Sequence, residues 1–192
     1  MKKVSVLIVI LSTVILIGCS QGKNFTIESK EFTDEQNEIL SLTGNRAFKC
    51  DLKNLPKDKN YELNVVYEVY QGKEKVKEEI ILGMAYEATE DKIEDRNLSI
   101  NIQENKIRVI SDGAYSYLDI EEDISKLVNY YFSGNTKINM GDQIYLFHGS
   151  DGKYLLPTEK SLGLVSNEEL EKLIEENEVN IFIKLVCKEI SK

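Results

Sequence analysis

The chain has a single histidine, His148, and three cysteines, Cys19, Cys50 and Cys187, with no CxxC spacing among them. Structural zinc sites draw on several Cys or His ligands, so a histidine-rich zinc site, a zinc ribbon and a thioredoxin-like dithiol are all excluded. No glycine-rich phosphate loop and no nucleophile elbow occurs. Basic residues are in deficit, with 24 Lys and Arg against 33 Asp and Glu and a formal charge of −9. Phosphate backbones are gripped by concentrated basic faces, which argues against nucleic acid as a partner. Long apolar runs are missing too. The longest, Val4 to Ile17, falls short of the roughly 20 residues that span a bilayer.

That run is nevertheless the most informative stretch. Lys2 and Lys3 precede it, Leu16-Ile17-Gly18-Cys19 closes it, and Ser20-Gln21-Gly22-Lys23-Asn24 turns polar at once. A charged start, an apolar middle and a small residue before the cut make a secretory signal peptide. With Cys19 directly after the cut, the segment resembles the lipobox of bacterial lipoproteins. The resemblance implies cleavage before Cys19, a diacylglyceryl thioether on its sulfur with the further acylation (palmitate and its kin) of such anchors, and retention at the outer face of the cell membrane. It concerns Cys19 alone and says nothing of the domain behind it. The expected organisation is a signal peptide over 1–18, a lipidated tether over 19–24 and a single β-rich extracytoplasmic domain over 25–192. Processing removes Lys2 and Lys3 and takes the formal charge from −9 to about −11. Anionic headgroups would repel such a chain, so the lipid must do the anchoring.

Within the domain, hydrophobic alternation dominates. Tyr61, Leu63, Val65, Tyr67 and Val69 occupy one face of a ten-residue run, with Glu62, Asn64 and Glu68 on the other, which is the period of a half-buried strand. Gln71-Gly72-Lys73 marks a hairpin. Its return places Val76, Ile80, Leu82, Met84 and Tyr86 on one face, with Glu78 interrupting and Gly83 as a bulge site. Phe48/Cys50/Leu52, Leu98/Ile100/Ile102, Ile107/Val109, Tyr115 to Ile120 and Ile181/Ile183/Leu185/Cys187 read as further strands. Gln143 to His148 reads as a strand that ends in a Gly149–Gly152 turn and returns over Lys153–Leu156. Thr33 with Gln36, and Ser166 with Glu169, are capping boxes that open helices, the first stopped by Gly44. Ile124, Leu127, Val128 and Tyr131 have helical spacing. About eight strand candidates at short spacings favour an antiparallel β-sandwich, immunoglobulin-like or related, with two or three short helices.

Residues that could carry chemistry are few. His148, Ser150 and Asp151 lie close in sequence, but a catalytic triad is a matter of spatial geometry, and neighbours in a tight turn point apart. His148 therefore reads as a partly exposed strand-end residue without a catalytic role. Asp119, Glu121, Glu122 and Asp123 are the densest acidic cluster; calcium could use such oxygens, but a solvated helix start is the simpler reading. Tyr115, Tyr117, Tyr130, Tyr131, Tyr145 and Tyr154 crowd the second half of the chain and suit either sheet packing or a contact surface. Outside the membrane a Cys50–Cys187 disulfide is allowed, but a domain of this size needs no staple, and both read as buried thiols. The expectation is a membrane-tethered, non-enzymatic binding or interaction module with no cofactor and no metal. Its partners would be membrane lipid through Cys19 and an envelope protein or ligand. The alternatives are a small-ligand or metal-binding accessory lipoprotein and, behind it, an envelope enzyme.

Overall fold

The computed structural model describes residues 24–155, 162–163 and 165–190. The segment expected to be a signal peptide, and Cys19 after it, lie outside the described residues. Over the described residues the protein is mainly β, with two antiparallel sheets and two α-helices. No helix among the described residues is long and apolar enough to cross a membrane.

The first sheet holds β1 (Thr26–Lys30), β2 (Arg46–Lys53), β5 (Arg96–Ile102), β6 (Lys106–Ser111), β7 (Ala114–Asp119) and β9 (Asn135–Lys137), in the order β7-β6-β5-β2-β1-β9. The second holds β3 (Tyr61–Gln71), β4 (Glu74–Tyr86), β8 (Val128–Tyr131), β10 (Gln143–Ser150) and β11 (Val179–Glu189), in the order β4-β3-β11-β10-β8. Their inner faces meet in one core. Ile27, Leu52, Leu98, Ile100 and Ile107 enter it from the first sheet, and Leu63, Val65, Tyr67, Ile183 and Leu185 from the second. This arrangement is consistent with a β-sandwich.

Both helices start at the expected capping boxes. Helix α1 spans Asp34–Thr43, with Thr33 as N-cap, Gln36 reaching back, and Gly44 ending it at φ 65°, a left-handed conformation that glycine adopts without steric cost. Helix α2 spans Asn167–Glu176 and is capped by Ser166 and Glu169. It packs Leu173, with Leu170 and Ile174, onto the outer face of the second sheet, where Tyr145 and Phe182 wait. Along β10 that sheet is therefore covered on both faces, which is why every residue from Ile144 to Ser150 is buried.

Four local expectations need correction. The stretch from Glu121 to Phe132 is not a helix: only a 3-10 turn, Ile124–Lys126, forms before β8. Backbone pairing of Val128–Tyr131 with Phe147–Ser150 overrides the local spacing. In β4, Leu82 pairs with Val65 but Ile80 pairs with Val66, so Ile81 is an extra residue in a bulge and Ile80 points away from the core. The bulge lies there rather than at Gly83, whose missing side chain instead admits Asn64: a Cβ would sit 2.9 Å from Asn64 Oδ1. Finally, β10 runs on through Gly149 and Ser150, and residues 153–155 form no returning strand.

Candidate functional site

His148 shows how strand register builds a site. Simple alternation would put it beside Ile144 and Leu146. In the ladder to β11, however, Tyr145 pairs with Lys184 and Phe147 with Ile183, leaving Leu146 as a bulge. Everything beyond is shifted by one, and His148 joins Tyr145 on the outer face, opposite Phe182. There it is fully buried rather than partly exposed. Its ring stacks on Phe182 at 4.8 Å and on Tyr130 at 6.2 Å. Its Nε2 lies 3.0 Å from Asn180 Oδ1. Burial lowers the imidazole pKa, and the hydrogen bond to Asn180 opposes that only in part. The ring is thus held neutral, with Nε2–H donating to the amide oxygen.

Asn177 extends this cluster. Its Nδ2 donates to Leu173 O at 3.0 Å, capping α2, and to Tyr154 O at 2.9 Å, while Tyr154 N donates to its Oδ1 at 2.8 Å. It also approaches Asn180 Oδ1 at 3.3 Å. Ser150 is buried, but its Oγ accepts from Gly152 N at 3.3 Å, a turn contact. Asp151 faces Lys153 at the surface. So the structure does not assemble His148, Ser150 and Asp151 into a triad; it makes His148 a packing residue.

A second buried polar group, unforeseen from sequence, lies on the same outer face. Glu68 is 1% exposed, and its Oε1 accepts from Lys184 Nζ at 2.8 Å and Lys75 Nζ at 2.9 Å. Lys184 also donates to Gln143 Oε1 at 2.9 Å, and Lys75 reaches Glu78. The hydrogen bond from Lys75 holds the Glu78 carboxyl below its usual range, and the bonds to Glu78 and then Glu68 raise Lys75. Charges alternate along this chain, as burial demands. The only sequence signal was Glu68 and Lys184 standing on the polar side of otherwise half-buried strands.

The acidic cluster is dispersed. Glu122 Oε2 accepts from Tyr67 OH at 2.8 Å, Asp123 caps Ser125 N at 3.1 Å and pairs with Lys126, and Asp119 pairs with Lys106. No group of metal-ligating side chains is found among the described residues. Cys50 and Cys187 are unbridged and buried. Burial pushes the Cys50 thiol up to about 12 and the Cys187 thiol to about 11, so neither is a nucleophile at neutral pH.

The tyrosines divide by place. Tyr145 packs in the core beneath α2, with Tyr130 and Tyr154 against it, and Tyr131 packs against Phe48 and Phe147. Tyr115 and Tyr117 do not pack inward: on the outer face of β7 they are 69% and 54% exposed. Register places Tyr115 beside Ile110 and Tyr117 beside Arg108. Ser99 and Lys49 continue the first row across the sheet. Lys106 Nζ lies 4.8 Å above the Tyr117 ring, a cation–π contact. The result is an open face of aromatic, aliphatic and basic groups. At the end of the same sheet, a cleft of about 680 Å³ opens between Gly44, Arg46, Glu104 and Ser125. Arg46 spends its guanidinium there on Ile124 O and Ser125 O. Compared with protein-family models, with curated proteins and with solved structures, the chain finds no match in any of the three.

Proposed function

We propose that the protein is a non-enzymatic interaction module, a β-sandwich of the immunoglobulin-like or a related kind, held at the outer face of the cell membrane by a lipid on Cys19. The observation that carries this reading is the open face of β6 and β7. Tyr115, Tyr117 and Ile110 stand exposed together with Arg108. Tyrosine and arginine are the residues over-represented at binding hot spots, because each offers a large contact area with a polar tip. The core of this sheet lies on the opposite face, so these side chains take no part in it. The partner on this reading is an envelope protein. The less favoured reading, a small-ligand accessory lipoprotein, draws on the cleft beside Arg46.

The test is photo-crosslinking from position 115 of the membrane-held protein in intact cells. A protein adduct lost on Tyr117→Ala and Arg108→Ala supports the module. The absence of any protein adduct, with a small molecule retained through purification instead, supports the ligand-binding reading.

A further inference from the structure

Helix α1 is an unusual element to find in a packed domain. Nine of its ten residues are exposed and only Leu40 is half-buried. Ile39 is 54% exposed and Leu42 80%. Three residues apart, they lie on one stripe of the helix, flanked by Glu35 and Glu38. A ten-residue helix is marginal in water, and most helical stability comes from burying an apolar face. Here the described residues supply the two caps, a contact from Lys49 to Gln36 and the partial burial of Leu40. The apolar stripe has no cover within the described residues.

Three candidates could cover it, and charge and topology separate them. The membrane is disfavoured twice. Glu31, Asp34, Glu35 and Glu38 make the segment acidic, which anionic headgroups repel. The tether would also enter at Phe25, at the start of β1, where Thr26 lies level with Lys53. Helix α1 follows the other end of β1 and feeds the start of β2, so it stands at the end of the sheet away from the anchor. A symmetric pair of copies is disfavoured because it would set two such acidic helices together. The acidic flanks suit instead a protein with an apolar groove rimmed by Lys or Arg.

We infer that α1 is a docking helix that presents Ile39 and Leu42 to the apolar, basic-rimmed groove of an envelope protein. This is the helix-in-groove mode, in which residues at i and i+3 supply the anchors and flanking charges set specificity. The inference rests on the interaction-module reading and names the chemistry of its partner. Lys49, which donates to Gln36 Oε1 at 3.3 Å and lies over Phe32 at 4.7 Å, fixes the first turn of the helix against the outer face that also carries Tyr115. One partner can therefore touch both.

The experiment places a benzophenone amino acid at Leu42 of the full, membrane-held chain and irradiates intact cells. The expected result is a protein adduct that disappears with Ile39→Glu, drops at least tenfold with Glu35→Lys/Glu38→Lys, and maps to a partner peptide that combines apolar with Lys or Arg residues. Both variants change exposed positions, and far-ultraviolet circular dichroism confirms that they fold. An adduct to lipid, an adduct of twice the chain's mass, an adduct indifferent to the charge reversal, or no protein adduct each overturns the inference. The same probe at Tyr115 separates the two readings: an adduct there but not at 42 leaves the module standing without the docking helix. Adducts at neither position remove both.

Discussion

The imidazole of His148 and the amide of Asn180 lie 3.0 Å apart across β10 and β11, and neither side chain touches solvent. The pair joins two strands under α2, between the rings of Phe182 and Tyr130. His148→Ala leaves a cavity and removes one of the two hydrogen bonds on Asn180 Oδ1, so it should destabilise the domain by about 2–4 kcal/mol. A partly exposed strand-end histidine would cost well under that. Urea unfolding at neutral pH reads the difference, and a loss below about 0.5 kcal/mol would contradict the buried placement.

The same burial gives stability a pH signature. The folded pKa of His148 is lowered, whereas the unfolded chain titrates near 6.5. Its contribution is complete above that unfolded value and declines as pH falls from there toward the folded one, because the unfolded state takes up the proton first. His148 is the only histidine. Melting temperature should therefore fall between pH 7.5 and 5.5, and His148→Gln should flatten that slope. Parallel slopes for the two proteins would show that the imidazole is solvated in the native state.

Glu68 is the hinge of the buried charge chain. Glu68→Ala strands Lys184, which is 8% exposed, and removing one partner of a buried pair costs about 3–5 kcal/mol. Glu68→Leu combined with Lys184→Met removes both charges and should recover more than half of that loss. A double-mutant cycle measures the coupling; additive effects of the two changes would mean that the pair is not coupled.

Cys50 and Cys187 should resist alkylation in the native protein and both label once it is unfolded, without reductant. Their thiols are buried and raised, and Cys187 Sγ rests 3.5 Å from Met140 Sδ. Labelling of neither thiol after unfolding would reveal a bridge.

The proposed lipid anchor is tested at Cys19. On that proposal Cys19→Ala should give unprocessed or released protein, because a thioether anchor requires that sulfur. A variant that fractionates with membranes in the same mature form as the wild type would remove the lipoprotein reading.

Features governed by a few neighbouring residues are legible in the sequence. Both capping boxes, at Thr33 and Ser166, close within four residues, and both formed. The face of β3 from Tyr61 to Val69 follows from alternation alone, since one sheet face must be buried. The thiols too were placed correctly, because Cys50 and Cys187 share faces with Leu52 and Leu185. Tyr115 and Tyr117 were visible as tyrosines, but nothing local told an outward aromatic row from an inward one. The buried Glu68–Lys184 pair was hidden for the same reason. A charged residue opposite a core face reads as solvated until another layer covers it.

By itself the sequence determined most of the longer strands, the two capping boxes and the apolar face of β3, because those depend on periodicity and on hydrogen bonds that close within a turn. The tertiary structure alone decided where the ladders slip. Tyr145, Leu146 and Phe147 are all apolar, so no local contrast marks Leu146 as the extra residue. Only pairing with Lys184 and Ile183 on β11 does so. In the same way, Val128–Tyr131 became a strand because β10 offered its edge. A bulge moves every later side chain to the opposite face, and the free energy that selects it lies in contacts with a strand more than thirty residues away.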